Sequence, residues 1–331
     1  MKKVLVTGSA GFIGSHLVES LVQSGYDVRA FVHYNSGNKI GWLSSLSKEI
    51  LSEIELYPGD IRDAERVTNA GKKIDTILHL AALIAIPYSY TSVRSYVETN
   101  VIGTLNVLES ARNNGINRLI HTSTSEVYGS AQYVPIDEQH PQIGQSPYSA
   151  SKIGADKLAE SYFKSFGTPV TIIRPFNTYG PRQSNRAVIP TIISQALLGN
   201  EIKLGIRDTT RDFSYVADTV SGFIAAIKVA KIEGETINLG TGYDVTVEHI
   251  VGLVSQILGK DLSIQVEQSR FRPMNSEVNQ LQSCNLKARE LLDWNPKSEG
   301  EIGLIEGLRN TINWFKESHN LLQYANNEYT L

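Results

Sequence analysis

Lys2-Lys3-Val4-Leu5-Val6-Thr7-Gly8-Ser9-Ala10-Gly11-Phe12-Ile13-Gly14 joins a short apolar run to three spaced glycines. An apolar run without alternation suits a strand buried on both faces of a parallel sheet. Helical periodicity follows over 15–24. Glycine at such a strand-to-helix turn permits the tight bend, lets backbone approach a pyrophosphate, and lets the helix pack closely on the sheet. The helix N-terminus then faces the phosphate charge. Further apolar runs at 28–32, 54–57, 76–80, 118–121 and 170–174 alternate with helical patterns. Alternation of this kind requires crossover connections, so the expected fold is α/β, a Rossmann-type doubly wound parallel sheet.

After Pro175 the rhythm loosens, with expected loops at 177–187 and 269–276 and helices near 189–198, 247–258 and 286–292. These segments predict a smaller C-terminal α/β cap for substrate, while 214–240 reads as a helix and strand returning to the sheet. The expected division is a dinucleotide-binding domain at 1–175 (rejoined by 214–240), a cap at 176–213 and 241–318, and a tail at 319–331. The polar stretch 320–331 is expected to be disordered.

A chain of 331 residues is long enough to bury a large core without metal or disulfide. Its 31 basic and 34 acidic residues leave a formal charge of −3 with no basic block, which gives no reason to expect nucleic acid or an anionic membrane as partner. One cysteine, Cys284, excludes an internal disulfide, and no signal pattern or 18-residue apolar span is present. The expected location is cytoplasmic.

The chemistry is written in two segments, Thr124-Ser125-Glu126-Val127-Tyr128-Gly129 and Tyr148-Ser149-Ala150-Ser151-Lys152. Tyr148 and Lys152 are four apart, so both leave one face of a helix beginning after Pro147. An ammonium beside a phenol favours the phenolate and makes tyrosine a usable base. Thr124, at a strand end, offers a hydroxyl for the same substrate oxygen, and Glu126 adds a second base. The second strand ends in Phe31-Val32-His33-Tyr34-Asn35, without the acid that would bind an adenosine ribose and repel a 2′-phosphate; no arginine replaces it, and Lys39 is the nearest cation. NAD is the expected cofactor and NADP is left open. Asp60 reads equally as a contact to the adenine amino group and as a loop or helix-cap aspartate.

Gly8/Gly11/Gly14, His79-Leu80-Ala81-Ala82, Asn100-Val101-Ile102-Gly103-Thr104, the 122–129 segment, Tyr148/Lys152 and Arg174-Pro175-Phe176-Asn177-Thr178-Tyr179-Gly180-Pro181-Arg182 together resemble the extended short-chain dehydrogenase/reductases that act on nucleotide sugars. The stretches 83–90 and 133–152 are most similar to the nucleotide-activated N-acetylglucosamine 4,6-dehydratases of the legionaminic acid pathway. That resemblance implies that Gly8, Gly11, Phe12, Ile13, Gly14, Asp60, Ile61, Leu80, Ala81, Ala82 and Asn100 hold the cofactor with Tyr148 and Lys152. It implies substrate contacts from Ser89, Asn177, Arg211 and Arg272, guanidinium being suited to a nucleotide diphosphate. Tyr179 and Lys203 are further candidates for the nucleotide end.

The implied reaction begins with C4 oxidation, Tyr148 taking the hydroxyl proton and Thr124 positioning the oxygen. Glu126 then removes the C5 proton, water leaves from C6, and the cofactor is regenerated at C6. Ser125 stands where dTDP-glucose dehydratases carry an acid, and a hydroxyl cannot serve as an acid near neutral pH. The Thr-Ser-Glu arrangement resembles GDP-mannose 4,6-dehydratases and UDP-glucuronate decarboxylases alike. A 4-epimerase or decarboxylase is therefore the alternative, and a non-catalytic dinucleotide sensor a third. The resemblance further implies a homodimer formed through helices near 90–113 and 148–166 as a four-helix bundle.

Overall fold

In a computed structural model, residues 2–205 and 208–325 are described. In chain order the strands are β1 (Lys3–Thr7), β2 (Asp27–His33), β3 (Ile54–Gly59), β4 (Thr76–His79), β5 (Arg118–Thr122), β6 (Val170–Pro175), β7 (Asn177–Tyr179), β8 (Glu201–Leu204), β9 (Thr210–Tyr215), β10 (Thr236–Leu239), β11 (Asp244–Thr246), β12 (Ser263–Val266) and β13 (Gln280–Leu281). Seven of them form an all-parallel sheet in the order β10-β6-β5-β4-β1-β2-β3. Helices cover both faces, which is why all four residues of β4 and all six of β6 are buried and why these strands are apolar at successive positions rather than alternating. The fold is the Rossmann-like α/β arrangement expected from the alternation.

Strand order reverses between β1 and β4, so the crossovers leave these two strands in opposite directions and a crevice opens beyond their carboxyl ends. Helix Phe12–Gln23 starts immediately after the glycine turn, three residues earlier than its apolar periodicity suggests, with Gly11 as its N-cap. Helix Pro147–Phe166 begins with a reciprocal capping box between Ser146 and Ser149, has Pro147 in its first turn, and ends at Gly167 in the left-handed conformation. The helix expected near 90–113 is broken into Ile86–Thr91, Val93–Tyr96, a wide π turn at Val97–Ile102, and Gly103–Asn113. The wide turn holds Asn100, whose amide is engaged by the loop after β4 rather than by its own helix.

Strand β10, preceded by helix Val216–Lys228, adds to β6 and extends the main sheet. The remaining strands make two small sheets, β7, β9, β11 and β13 in one and β8 with β12 in the other. They share a second core with helices Val188–Leu198, Val247–Leu258 and Gly300–Lys316. Residues 177–179, expected in a loop, form β7 against β9. Residues 318–325, whose last six were expected to be disordered, are helical: Tyr324 packs at 4.7 Å from Phe315 and stacks on Trp42, and one aromatic anchor is enough to order a polar turn. Residues 326–331 lie outside the described residues. Among the described residues no helix is long and apolar enough to cross a membrane.

A Cβ placed on Gly14 would stand 2.1 Å from the Gly8 carbonyl oxygen, closer than any packing allows. Gly14→Ala is therefore expected to lower unfolding stability in urea by about 1–3 kcal/mol and to abolish dinucleotide binding by calorimetry.

Candidate active site

The crevice is stitched shut at its base by one threonine. The Thr7 hydroxyl at the end of β1 accepts from the backbone N–H groups of Leu80 (3.2 Å) and Ala81 (3.1 Å) just beyond β4, and donates to His79 Nδ1 at 2.8 Å. Thr104 donates to the Asn100 carbonyl and so accepts from His79 Nε2, which assigns the tautomer. Gly8 turns here with φ +69°, and a Cβ on it would meet Ala81 N at 2.7 Å. Backbone at Gly8, Gly11 and the Phe12–Ile13 first turn thus borders the crevice with no side chain in the way. A cradle that a single Cβ would fill, facing a helix N-terminus, fits a dinucleotide pyrophosphate.

Several of the residues expected to meet the cofactor lie near that cradle with partners of their own. Asp60 follows β3, but its carboxylate forms a two-atom ion pair with Arg62, 2.6 Å at the closest, which holds it below the usual carboxylate range. Ile61 is buried against Gly103. Asn100 accepts from Leu83 N and donates to Leu83 O and Ser151 Oγ, clamping the loop after β4, which includes half-buried Ala82, to the Pro147–Phe166 helix. Beyond β2 lies an open cavity of ≈ 600 Å³ lined by Ala10, His33, Asn35, Ser36, Gly37, Lys39 and Gly41, none of them acidic.

Thr124, Glu126 and Tyr148 come together. Thr124 caps the single turn Ser125–Tyr128, its Oγ1 accepting from Glu126 N at 3.2 Å, and its hydroxyl lies close enough to the Tyr148 phenol to act on its pKa. Ser125 is buried beneath them. Burial pushes the Tyr148 phenol well above its ordinary value, the nearby Thr124 hydroxyl opposes this, and the Glu126 charge adds to it. The lysine does not act on the phenol as its spacing suggests: Lys152 Nζ donates instead to the Thr122 carbonyl at 2.7 Å, because the strand end is the nearest acceptor in a dry site. Burial pushes Lys152 down to about 8, with only Asp156 pulling the other way.

The cap brings up its two arginines, already partnered. Arg211 on β9 lies 3.3 Å from Glu277 and Arg272 3.7 Å from the same carboxylate. Burial lowers the Arg211 pKa, while Glu126 and Glu277 raise it, so the Glu126 charge is felt at both Tyr148 and Arg211. Asn177 pairs across from Phe213, on the face of the small sheet that Arg211 shares, and its Oδ1 is buried without a protein hydrogen bond, as is Arg272 Nη1. Ser89 sits in helix Ile86–Thr91 rather than a loop, fully buried, with its hydroxyl donating to Ile86 O at 2.7 Å. Tyr179 is buried with its hydroxyl on the Leu304 carbonyl, a packing position, and Lys203 is exposed on β8.

Sequence reasoning missed Glu277, Asp156 and the partners of Arg174. Asp156 was findable, since it continues the four-residue spacing Tyr148, Lys152, Asp156 along a buried helix face. Arg174 inside a fully buried strand demanded a carboxylate, and finds Asp156 at 3.0 Å.

The family model described as GDP-mannose 4,6 dehydratase matches residues 5–306. The dTDP-D-glucose 4,6-dehydratase of Bos taurus is 33% identical over 96% of this chain and 90% of its own. The UDP-N-acetyl-alpha-D-glucosaminuronate decarboxylase of Bacillus cytotoxicus is 32% identical over 96% and 99%. Among solved structures, a mutant UDP-glucuronic acid 4-epimerase from Bacillus cereus, in complex with a fluorinated UDP-glucuronic acid and NAD, superposes with a TM-score of 0.86 at 31% identity over 95% and 99% of the two chains. The chain therefore belongs to the GDP-mannose 4,6 dehydratase family, among the extended short-chain dehydrogenase/reductases that act on nucleotide sugars as dehydratases, epimerases and decarboxylases.

Proposed function

We propose that this protein is an NAD-dependent nucleotide-sugar 4,6-dehydratase acting on UDP- or GDP-N-acetylglucosamine, in the making of a legionaminic-acid-like surface sugar. The observation that carries this reading is the placement of Glu126 in the first turn after β5, its N–H bonded to Thr124 Oγ1 and its carboxylate near enough to the Tyr148 phenol and the Arg211 guanidinium to act on both. A base between the oxidising pair and a diphosphate cradle is what elimination next to a C4 ketone needs. The glycine turn, the first turn of helix Phe12–Gln23, Leu80, Ala81 and Lys152 would hold NAD, which supplies, when bound, reversible two-electron oxidation at C4 and reduction at C6.

The protein's own groups do the rest. Thr124 donates to the C4 oxygen and Tyr148 takes its proton, while the charged Lys152, held on the Thr122 carbonyl, would serve the cofactor. The C4 ketone acidifies C5–H, and Glu126 removes that proton. The same carboxyl group, now protonated, gives it to the departing C6 hydroxyl, since Ser125 cannot. Arg211, Arg272 and Asn177 bind the diphosphate, and buried Ser89 holds helix Ile86–Thr91 beside the sugar through its bond to the Ile86 carbonyl. A 4-epimerase is the second reading, favoured by the likeness to the epimerase structure; it would leave Glu126 without a task.

The assembly follows the same reading. Val93, Val97 and Ile102 are 48%, 44% and 41% exposed in a row beside helix Pro147–Phe166, an apolar stripe that suits a second copy packing as a four-helix bundle.

The reaction is tested by incubation with UDP- and GDP-N-acetylglucosamine, UDP-glucuronate and dTDP-glucose in heavy water. Loss of one water, deuterium at C5 and a new C6 methyl by mass and proton NMR are expected. Carbon dioxide release, or C4 inversion without mass loss, sinks the dehydratase. Glu126→Gln is expected to cut water release by about 10²–10⁴-fold while C4 oxidation persists. Because the Lys152 pKa is depressed from 10.5 to about 8, its charge is lost as pH rises through that value, and kcat is expected to fall above it. Val97→Glu is expected to give a monomer in analytical ultracentrifugation where the parent protein sediments as a dimer.

A further inference from the structure

We propose that Asp156 is a positioning residue for this reaction: one buried carboxylate sets the Tyr148/Lys152 helix, the Thr124 strand end and the Glu126 turn in a single register. The proposal rests on the dehydratase reading above. Asp156 is fully buried one helical turn beyond Lys152. Its Oδ2 accepts from Ser123 Oγ at 2.8 Å and from Arg174 Nη2 and Nε at 3.0 and 3.2 Å, with Gln142 Nε2 at 3.4 Å. Its Oδ1 meets His121 Nε2 at 3.2 Å. Ser123 lies between Thr122, whose carbonyl receives Lys152, and Thr124, which meets Tyr148. The strand end and the helix are therefore tied by hydrogen bonds at two successive strand residues, Thr122 to Lys152 and Ser123 to Asp156, immediately before Thr124.

The chain of contacts continues to the second base. Arg174 Nη1 donates to Tyr128 OH at 3.0 Å, and Tyr128 donates to Asn238 Oδ1 at 2.7 Å. Tyr128 ends the single turn that carries Glu126. A buried ion pair left without one partner is costly, so this network has one geometry in which every charge is satisfied. Oxidation at C4 and proton removal at C5 are served by residues on different elements, and Asp156 is where those elements are tied.

Asp156 also governs the Lys152 charge. The groups facing Lys152 are Tyr148 and Asp156 on its own helix, His79 on β4 and His121 on β5, with Arg174 of β6 behind Asp156. Both histidines are held neutral, chiefly by burial, which leaves Asp156 as the one carboxylate in the group.

The test is Asp156→Asn, nearly isosteric and uncharged. With lysine labelled at Cε, and the Lys152 resonance identified by its loss in Lys152→Met, the Lys152 titration is expected to move down by about one pH unit or more, and the alkaline limb of kcat to move with it while KM holds. An unshifted titration, or a loss of activity that only tracks loss of folded protein, overturns the proposal. The NMR titration needs no turnover, so a protein that acts on no nucleotide sugar would sink the dehydratase reading and still leave Asp156 to be judged. Where Asp156→Asn does not fold, Tyr128→Phe decides, because it keeps the Asp156–Arg174 ion pair while removing the hydroxyl that links Arg174 to the Glu126 turn and to Asn238. Slowed C5 exchange with C4 oxidation retained supports the coupling, and equal loss of both overturns it.

Discussion

The reversal of strand order between β1 and β4 is the constraint on which the rest of the structure depends. A parallel strand must be followed by a crossover, and two crossovers that depart in opposite directions cannot cover the space between them. The gap is permanent and lies over the strand ends. Thr7 closes its floor by satisfying two N–H groups from the far strand, and the glycine turn keeps its wall bare. Everything with chemistry in it, from Gly8 to Glu126, is arranged around an opening that the topology makes unavoidable.

The floor of that opening is unusually charged for a protein interior. Lys152, Asp156 and Arg174 are all nearly inaccessible to water, and together they carry two positive charges and one negative. Burial of this kind is tolerated only where hydrogen bonds replace solvent, and the Thr122 carbonyl, Ser123, His121 and Tyr128 do so. The arrangement leaves one net positive charge in a dry floor. The second core is built differently: there Glu277 sits beside both Arg211 and Arg272, one carboxylate shared by two cations.

The strands of the main sheet were legible because burial on two faces favours apolar residues on both, so each reads as a mostly apolar run without alternation. The helix carrying Tyr148 announced itself through Pro147, and its capping box is formed by Ser146 and Ser149. In the cap, β7 is three residues long with half-buried Asn177 and Thr178, too short and too mixed for a period of two to register. The break in the helix near 97–102 was equally hidden, since a π turn follows from where Asn100 finds its partners and not from any helix-breaking residue.

By itself the sequence determined the order of strands and helices, the glycine turn, and the sharing of one helical face by Tyr148 and Lys152, because each of these depends on residues close together in the chain. Only the tertiary structure decided what the charged groups touch. Lys152 is on the Thr122 carbonyl and not on the phenol, Arg211 meets a glutamate 66 residues away, and Asp156 meets a serine 33 residues away. A side chain with a long reach takes whichever acceptor the packing brings nearest, and spacing along the chain carries no record of that choice.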